Sequence, residues 1–414
     1  MPIKVFAFSV LVFFITLNFI HARCIHVGPQ QEIRHLREAI YQAKNYDTIK
    51  VHHSLYKEGN IVINKKLYLI GIDYPILDGD FTYEVVSIKS DGVTLKGFRI
   101  QNSGIASMTE PCGIKIYDAK DVKIEENVLD NNFFAIYVQY GKHIQVTNNT
   151  IKAYGSEEQN IGNGIHCWKS DSLHIVHNTI IGQRDGIYFE FVTHSMVYGN
   201  ISKNNIRYGL HFMFSNDNSY INNFFDSNGA GVAIMYTKNV LIYNNTFSMS
   251  VGDASYGILL KELSDVEITG NLFEFNTAAL FLEGANRMVV NHNRFYSNGW
   301  GLKIQANCVD NVISENNFQN NTFDVSTNGS LVLNKFNANY WDKYEGYDLD
   351  HNGSGDVPYR PLSLFSIIID NNPIAMLLYR SFMVNLLDKT EKLIPSITPE
   401  DFRDDQPKLK PYHL

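Results

Sequence analysis

A chain of 414 residues, 44% hydrophobic and 19% charged, has the composition of a folded globular protein and not of a disordered one. Its formal net charge of −8, with no Lys/Arg-rich run, argues against a phosphate backbone as partner, so no nucleic acid is expected. The length is compatible with one large domain or with two or three ordinary ones.

The chain opens with Lys4, an apolar run from Val5 to Ile20, and "IHA". This reads as an export signal over residues 1–22, cleaved after Ala22, because the run is short for a membrane span, with an uncleaved membrane anchor as the alternative. No later stretch is long and apolar enough to cross a bilayer, so the mature chain is expected to be soluble outside the cytoplasm. Cysteines 24, 112, 167 and 308 make an even count, which in an exported protein invites disulfides. Arg23 before Cys24 makes a poor lipidation signal.

Residues 23–100 read as an N-terminal cap followed by irregular first coils. Gln30–Lys44 has helical spacing at Ile33, Leu36 and Ile40, suited to covering the open end of a stacked sheet. Over residues 101–338 the chain repeats itself. "GIKIY", "AIYVQ", "GIHCW", "GIYFE", "GLHFM", "GVAIM", "GILLK", "ALFLE" and "GLKIQ" align on their second residues, 114, 136, 165, 187, 210, 232, 258, 280 and 302. The steps are 22, 29, 22, 23, 22, 26, 22 and 22, and Asn stands 13 residues after each of the first eight anchors. In the ninth coil Asn316 and Asn317 fall slightly later. A period near 22 with apolar alternation, Gly before the strand and Asn at the bend predicts an all-β parallel β-helix. The Asn are expected to occupy left-handed turns and to pair through their amides. The longer steps mark loops at 154–163 and 250–255.

Anchor and anchor+2 are apolar and point inward, so anchor+1 and anchor+3 face outward. Met213 and Met235 are then neighbours on adjacent coils, with His211 on the same outer face as Met213. Two thioethers and an imidazole form a soft set suited to Cu(I) rather than to Mg²⁺ or Ca²⁺. Weaker metal candidates are His166, two coils and about 10 Å away by ladder spacing, and His194 and Met196 in a following turn. Trp168 and Glu190 share the outer face. Cys167 points inward and lies about 29 Å from Cys308 by the same spacing, so free thiols are expected.

Residues 339–361 are acidic and Gly-rich. Asp348, Asp350, Asn352, Ser354 and Asp356 alternate as in the first nine positions of a calcium loop, but Tyr359 stands at the closing bidentate position. Residues 362–414 read as a helical tail that caps the solenoid or docks on a partner, with Leu378, Phe382, Leu386 and Leu393 on one stripe. A polysaccharide-acting enzyme (lyase, hydrolase or epimerase) is the alternative function. Such chemistry needs paired carboxylates, and Glu190 and Glu283 lie about 19 Å apart.

"GLHFMFSNDNSYINNFFDSNGAGVAIMYTKN", "GILLKELSD", "NYWDKYEGYDLDHNGSGDVPYRP" and the tail "NPIAMLLYRSFMVNLLDKTEKLIPSITPEDFRDD" together resemble the NosD family, in order and over most of the mature chain. The resemblance implies a right-handed β-helix in the periplasm that handles copper and is not an enzyme. It also implies partners: the membrane subunit and ATPase of an ABC transporter, a copper chaperone lipoprotein, and nitrous-oxide reductase, whose copper centres are being built. His211, Met213 and Met235 match the family's His-x-Met and Met positions. Typical members read "DLDGDGIAD" where this chain has "DLDHNGSGD", which weakens the calcium assignment.

Overall fold

The structure, a computed structural model, describes residues 22–105, 110–155, 157–329, 333–393 and 402–414. The expected export signal lies, but for Ala22, outside the described residues. The alternating apolar pattern becomes a right-handed parallel β-helix. One wall is a sheet of 25 strands that takes two rows from most coils, and the other is a sheet of 13 strands. A representative coil runs Tyr208–Met213, Asn218–Ile221 and Phe224–Asp226. Its first strand pairs in parallel with Asp185–Glu190 below and Ala230–Met235 above, aligning Ile187, Leu210 and Val232.

Leu210, Phe212 and Ile234 are wholly buried, as the inward positions of a two-residue alternation must be. On the opposite wall Phe225, Phe247, Phe273, Phe295, Phe318 and Trp341 stack with centroid separations of 5.4, 4.9, 4.9, 4.6 and 4.2 Å. Each ring contributes roughly 2 kcal/mol through burial alone. Glycine before the anchor is a matter of close approach: a Cβ on Gly209 would lie 2.7 Å from the Gly231 carbonyl oxygen, and one on Gly231 would lie 2.4 Å from that of Gly257.

The asparagine column is a ladder. Asn223 donates to Asn245 Oδ1 at 3.0 Å and to the Val197 carbonyl at 2.9 Å, while its own Oδ1 accepts from Asn200. Asn316 continues the ladder from Asn293, so the apparent slip in the ninth coil is absorbed. The left-handed residue is not the ladder Asn but the one before it, as at Asn222, Asn244 and His292, each with φ between 52° and 55°. The ladder Asn spends its amide on its neighbours, and the residue before it takes the turn. A second ladder joins Asn205 to Asn228, and Asn276, Asn298 and Asn321 to one another.

The N-terminal helix is shorter than its apolar spacing suggests, covering Leu36–Gln42. Glu58, from the coil above, accepts the Leu36 and Arg37 amides and fixes the helix start there. Ile33 instead bridges to Val27. At the other end Leu378, Phe382 and Leu386, expected on one apolar stripe, are 55%, 77% and 48% exposed. The stretch breaks into Leu364–Asn371, a 3-10 turn over Pro373–Leu378, and Phe382–Leu393, so one helical phase does not carry through it. Phe365, Ile369 and Val384 are the residues that pack, against Phe323 and Trp300 on the outer wall. Lys303 pairs with Asp370 at 2.8 Å beside them.

The solenoid end itself is closed by residues 402–414. Phe402 is fully buried and Asp404 bridges in parallel to Phe336. All four cysteines are free, with Cys112, Cys167 and Cys308 buried.

Candidate metal centre

Met213 and Met235 are register partners on adjacent strands, both outside the lumen and both half-buried. Their column continues to Glu190 and Trp168 on one side and Lys261 on the other. Lys261 is paired with Glu283 at 2.9 Å. Beside the methionines Phe191, Phe214 and Tyr236 stack in an exposed ladder at 5.2 and 5.1 Å.

His211 shares this outer face but not its exposure, which corrects the expectation of an open wall. It is 6% exposed. Tyr208 and Tyr188 bracket the imidazole at 4.7 and 5.0 Å, and Asp185 Oδ2 lies 3.7 Å from its Nδ1. Ala233, in register above, presents only a methyl group. Neither ring nitrogen of His211 and neither oxygen of Asp185 has a hydrogen-bond partner among the protein atoms. A buried imidazole left unpaired is costly, and here it stands on the same strand face as a thioether pair. Alternation puts Tyr188 in the outer column beside His211, but it does not bring Asp185 and Tyr208 to the imidazole. Their signal was weak: Asp185 and Tyr208 stand two residues before the anchor, a position that Ala, Tyr and Trp fill in later coils.

The anchor+1 column is covered more generally. Phe133 and Phe134 pack with Tyr137, and Asn163 from the 154–163 loop meets His166 Nδ1 at 3.0 Å. His166 is stacked on Tyr188 at 4.7 Å and edge-on to Tyr137 at 4.4 Å. Burial first, then the nearby Arg184 charge, depress its pKa to about 3. It is a neutral, packed histidine. Trp168 leans on Tyr140 at 4.9 Å. His194 holds Asp171 at 2.7 Å, and Met196 lies on the next strand round the coil, in register with Ser219. That bend separates His194 and Met196 from the row that carries His211.

In the acidic loop, Asp348 accepts the amides of Asn352 and Gly353, Asp350 accepts from Asn352, and Asp356 accepts the amide of Leu349. The Lys408 ammonium donates to Ser354 Oγ at 2.7 Å. These are the contacts of a self-capped turn with a cation already beside it. Among the described residues no three His, Cys, Asp or Glu side chains gather as a metal cage. The His211 set differs in relying on thioethers.

A family model described as "Periplasmic copper-binding protein (NosD)" matches residues 153–346, and one described as "Right handed beta helix region" matches residues 17–180. Two curated relatives carry the name "Probable ABC transporter binding protein NosD". One, from Stutzerimonas stutzeri, is 28% identical over 311 residues, covering 70% of each chain. The other, from Pseudomonas aeruginosa, is 27% identical over 373 residues, covering 85% of this chain and 86% of the relative. The chain is a NosD-like protein.

The copper-binding family model thus covers all three members of the thioether–imidazole set. Solved structures add the fold alone. DFA-IIIase from Arthrobacter chlorophenolicus A6, without its lid and in complex with GF2, aligns with a TM-score of 0.51 at 13% identity, covering 72% of the NosD-like chain and 84% of its own. The Dettilon tailspike protein gp208 aligns with a TM-score of 0.51 at 15% identity, covering 71% of this chain and 60% of its own. No helix among the described residues is long and apolar enough to cross a membrane.

Proposed function

We propose that this chain is a periplasmic, non-enzymatic copper carrier that holds Cu(I) transiently on His211, Met213 and Met235. It receives the ion from a copper chaperone lipoprotein and works with an ABC transporter's membrane subunit and ATPase in building the copper centres of nitrous-oxide reductase. The observation that carries this reading is the buried His211 ring with both nitrogens unpartnered, on the same strand face as a registered methionine pair. Three neutral ligands suit Cu(I), and their small number permits onward transfer. The family description and the relatives' names support the copper and transporter parts.

Anaerobic Cu(I) titration against a chromophoric chelator is expected to show one ion lost in the combined His211→Ala, Met213→Ala, Met235→Ala variant. Equal stoichiometry in variant and wild type would sink the assignment. Uronate-polymer cleavage dependent on Glu190 would instead establish the sugar-enzyme reading.

The helical tail is assigned to the transporter. Its packed side lies on the solenoid wall, while Ile374, Leu377, Phe382 and Met383 are 74%, 86%, 77% and 68% exposed. Apolar side chains so concentrated mark an interaction surface. Leu377→Glu with Phe382→Glu is expected to abolish co-purification with the transporter while copper stoichiometry stays at the wild-type value. Retained co-purification would reject the docking role.

A further inference from the structure

A second group of metal-binding side chains lies at the N-terminal end of the solenoid, far in sequence from the His211 patch. The first strand, Cys24–Val27, alternates so that Val27 is buried while Cys24 and His26 are exposed on the outer face. It pairs in parallel with Thr48–His52, with Lys50 opposite His26 and His52 two residues further along the same outer face. Cys24 Sγ stands 3.6 Å from His26 Nε2, and His26 Nδ1 stands 3.0 Å from His52 Nε2. The two imidazoles are stacked, with centroids 5.3 Å apart.

The distances fix the roles. A metal–sulfur bond of about 2.3 Å and a metal–nitrogen bond of about 2.0 Å, meeting at a tetrahedral angle, span about 3.5 Å between sulfur and nitrogen. The Cys24–His26 separation matches that edge. His26 turns its other nitrogen to His52, so His52 is not a third ligand in this geometry, in keeping with the absence of a three-residue cage among the described residues. It fixes the tautomer instead. With a metal on its Nε2, His26 would carry its proton on Nδ1 and donate it to His52 Nε2, 3.0 Å away. A ligating histidine is commonly held by such an outer partner, which raises its basicity and sets its ring orientation.

We infer that Cys24 Sγ and His26 Nε2 form a surface site for a closed-shell d10 ion, Cu(I) or Zn(II), with His52 as the positioning residue. A thiolate with an imidazole is a borderline-soft donor pair that fits both ions. Two protein ligands at an exposed strand end leave coordination positions open to water or to a donor from a partner. The site takes nothing from the His211 assignment, since the two share no residue.

The test uses the full mature chain carrying His211→Ala, Met213→Ala and Met235→Ala, kept reduced, so that the two proposals fail separately. Co(II) is titrated as a spectroscopic stand-in, followed by Cu(I) and Zn(II) in competition. A thiolate-to-cobalt charge-transfer band is expected, and it should vanish in Cys24→Ser and in His26→Ala. His52→Ala is expected to keep the band but weaken binding about 10- to 100-fold. Displacement by Cu(I) alone or by Zn(II) alone identifies the ion that the site takes. Because Cys24 and His26 are exposed, far-UV circular dichroism should be unchanged in every variant. The site is overturned if no thiolate band forms, if the band survives Cys24→Ser, or if His52→Ala binds as tightly as its parent.

Discussion

Asp404→Ala is expected to lower the unfolding free energy by about 3–5 kcal/mol, a large share of what a folded chain has to spare. The asparagine ladder must end somewhere, and at its top Asn339 has no further Asn to receive its amide. Asp404 takes that place. Its carboxylate is fully buried and accepts from the amides of Ala338, Asn339 and Gln406, from Asn339 Nδ2 at 3.0 Å and from Trp341 Nε1 at 3.1 Å. Removing it strands several donors at once, each costing about 1–3 kcal/mol when buried, with some relief from water entering at the solenoid end. Asp404→Asn should cost less, because one oxygen can continue the ladder while the new amine faces donors. Urea unfolding gives the totals, and hydrogen exchange at residues 335–345 should rise first. An unchanged midpoint for Asp404→Ala would refute this account of the cap.

The coil period and the lumen-facing columns were legible because burial acts on every coil in the same phase. Ile187, Leu210 and Val232 had to be apolar, and the register follows from them. The second ladder was equally open to reading. Asn205, Asn228, Asn276, Asn298 and Asn321 each stand five residues after a first-ladder Asn. What alternation could not give was exposure on the outer face. It places His211 outside the lumen, but the cover over it comes from Tyr188 and Tyr208, and the cover over His166 from loop residues such as Asn163. Tyr188 stands in register with His211 and alternation does place it there, but Tyr208 at a strand start and Asn163 in a loop depend on side-chain direction where a period of two no longer applies. The closure of the C-terminal end was hidden for another reason. Asp404 belongs to a short polar segment, and only its meeting with Asn339 gives it meaning.

Asp185→Asn is expected to weaken Cu(I) binding about 10- to 100-fold while leaving the unfolding midpoint unchanged or raised. Asp185 is a buried carboxylate whose oxygens lie 3.7 Å from His211 Nδ1 and 3.9 Å from Arg207 Nε, with no hydrogen bond to either. In the metal-free chain Arg207 at 3.9 Å compensates this charge only partly and without a hydrogen bond, so its removal should not cost stability. With His211, Met213 and Met235 all neutral, bound Cu(I) brings a full positive charge, and the carboxylate beside the imidazole is the group placed to balance it. Arg207 is shared between Glu158 and Asp185, at 3.8 and 3.9 Å, so it balances the Asp185 charge only in part. The ion would enter past the half-buried thioethers, since the aromatic rings close the histidine side. Chelator competition reads the affinity, and urea unfolding of the metal-free chain reads the stability. A purely structural Asp185 would move the second quantity and not the first. Affinity within twofold of wild type would show that the carboxylate plays no part in holding the metal.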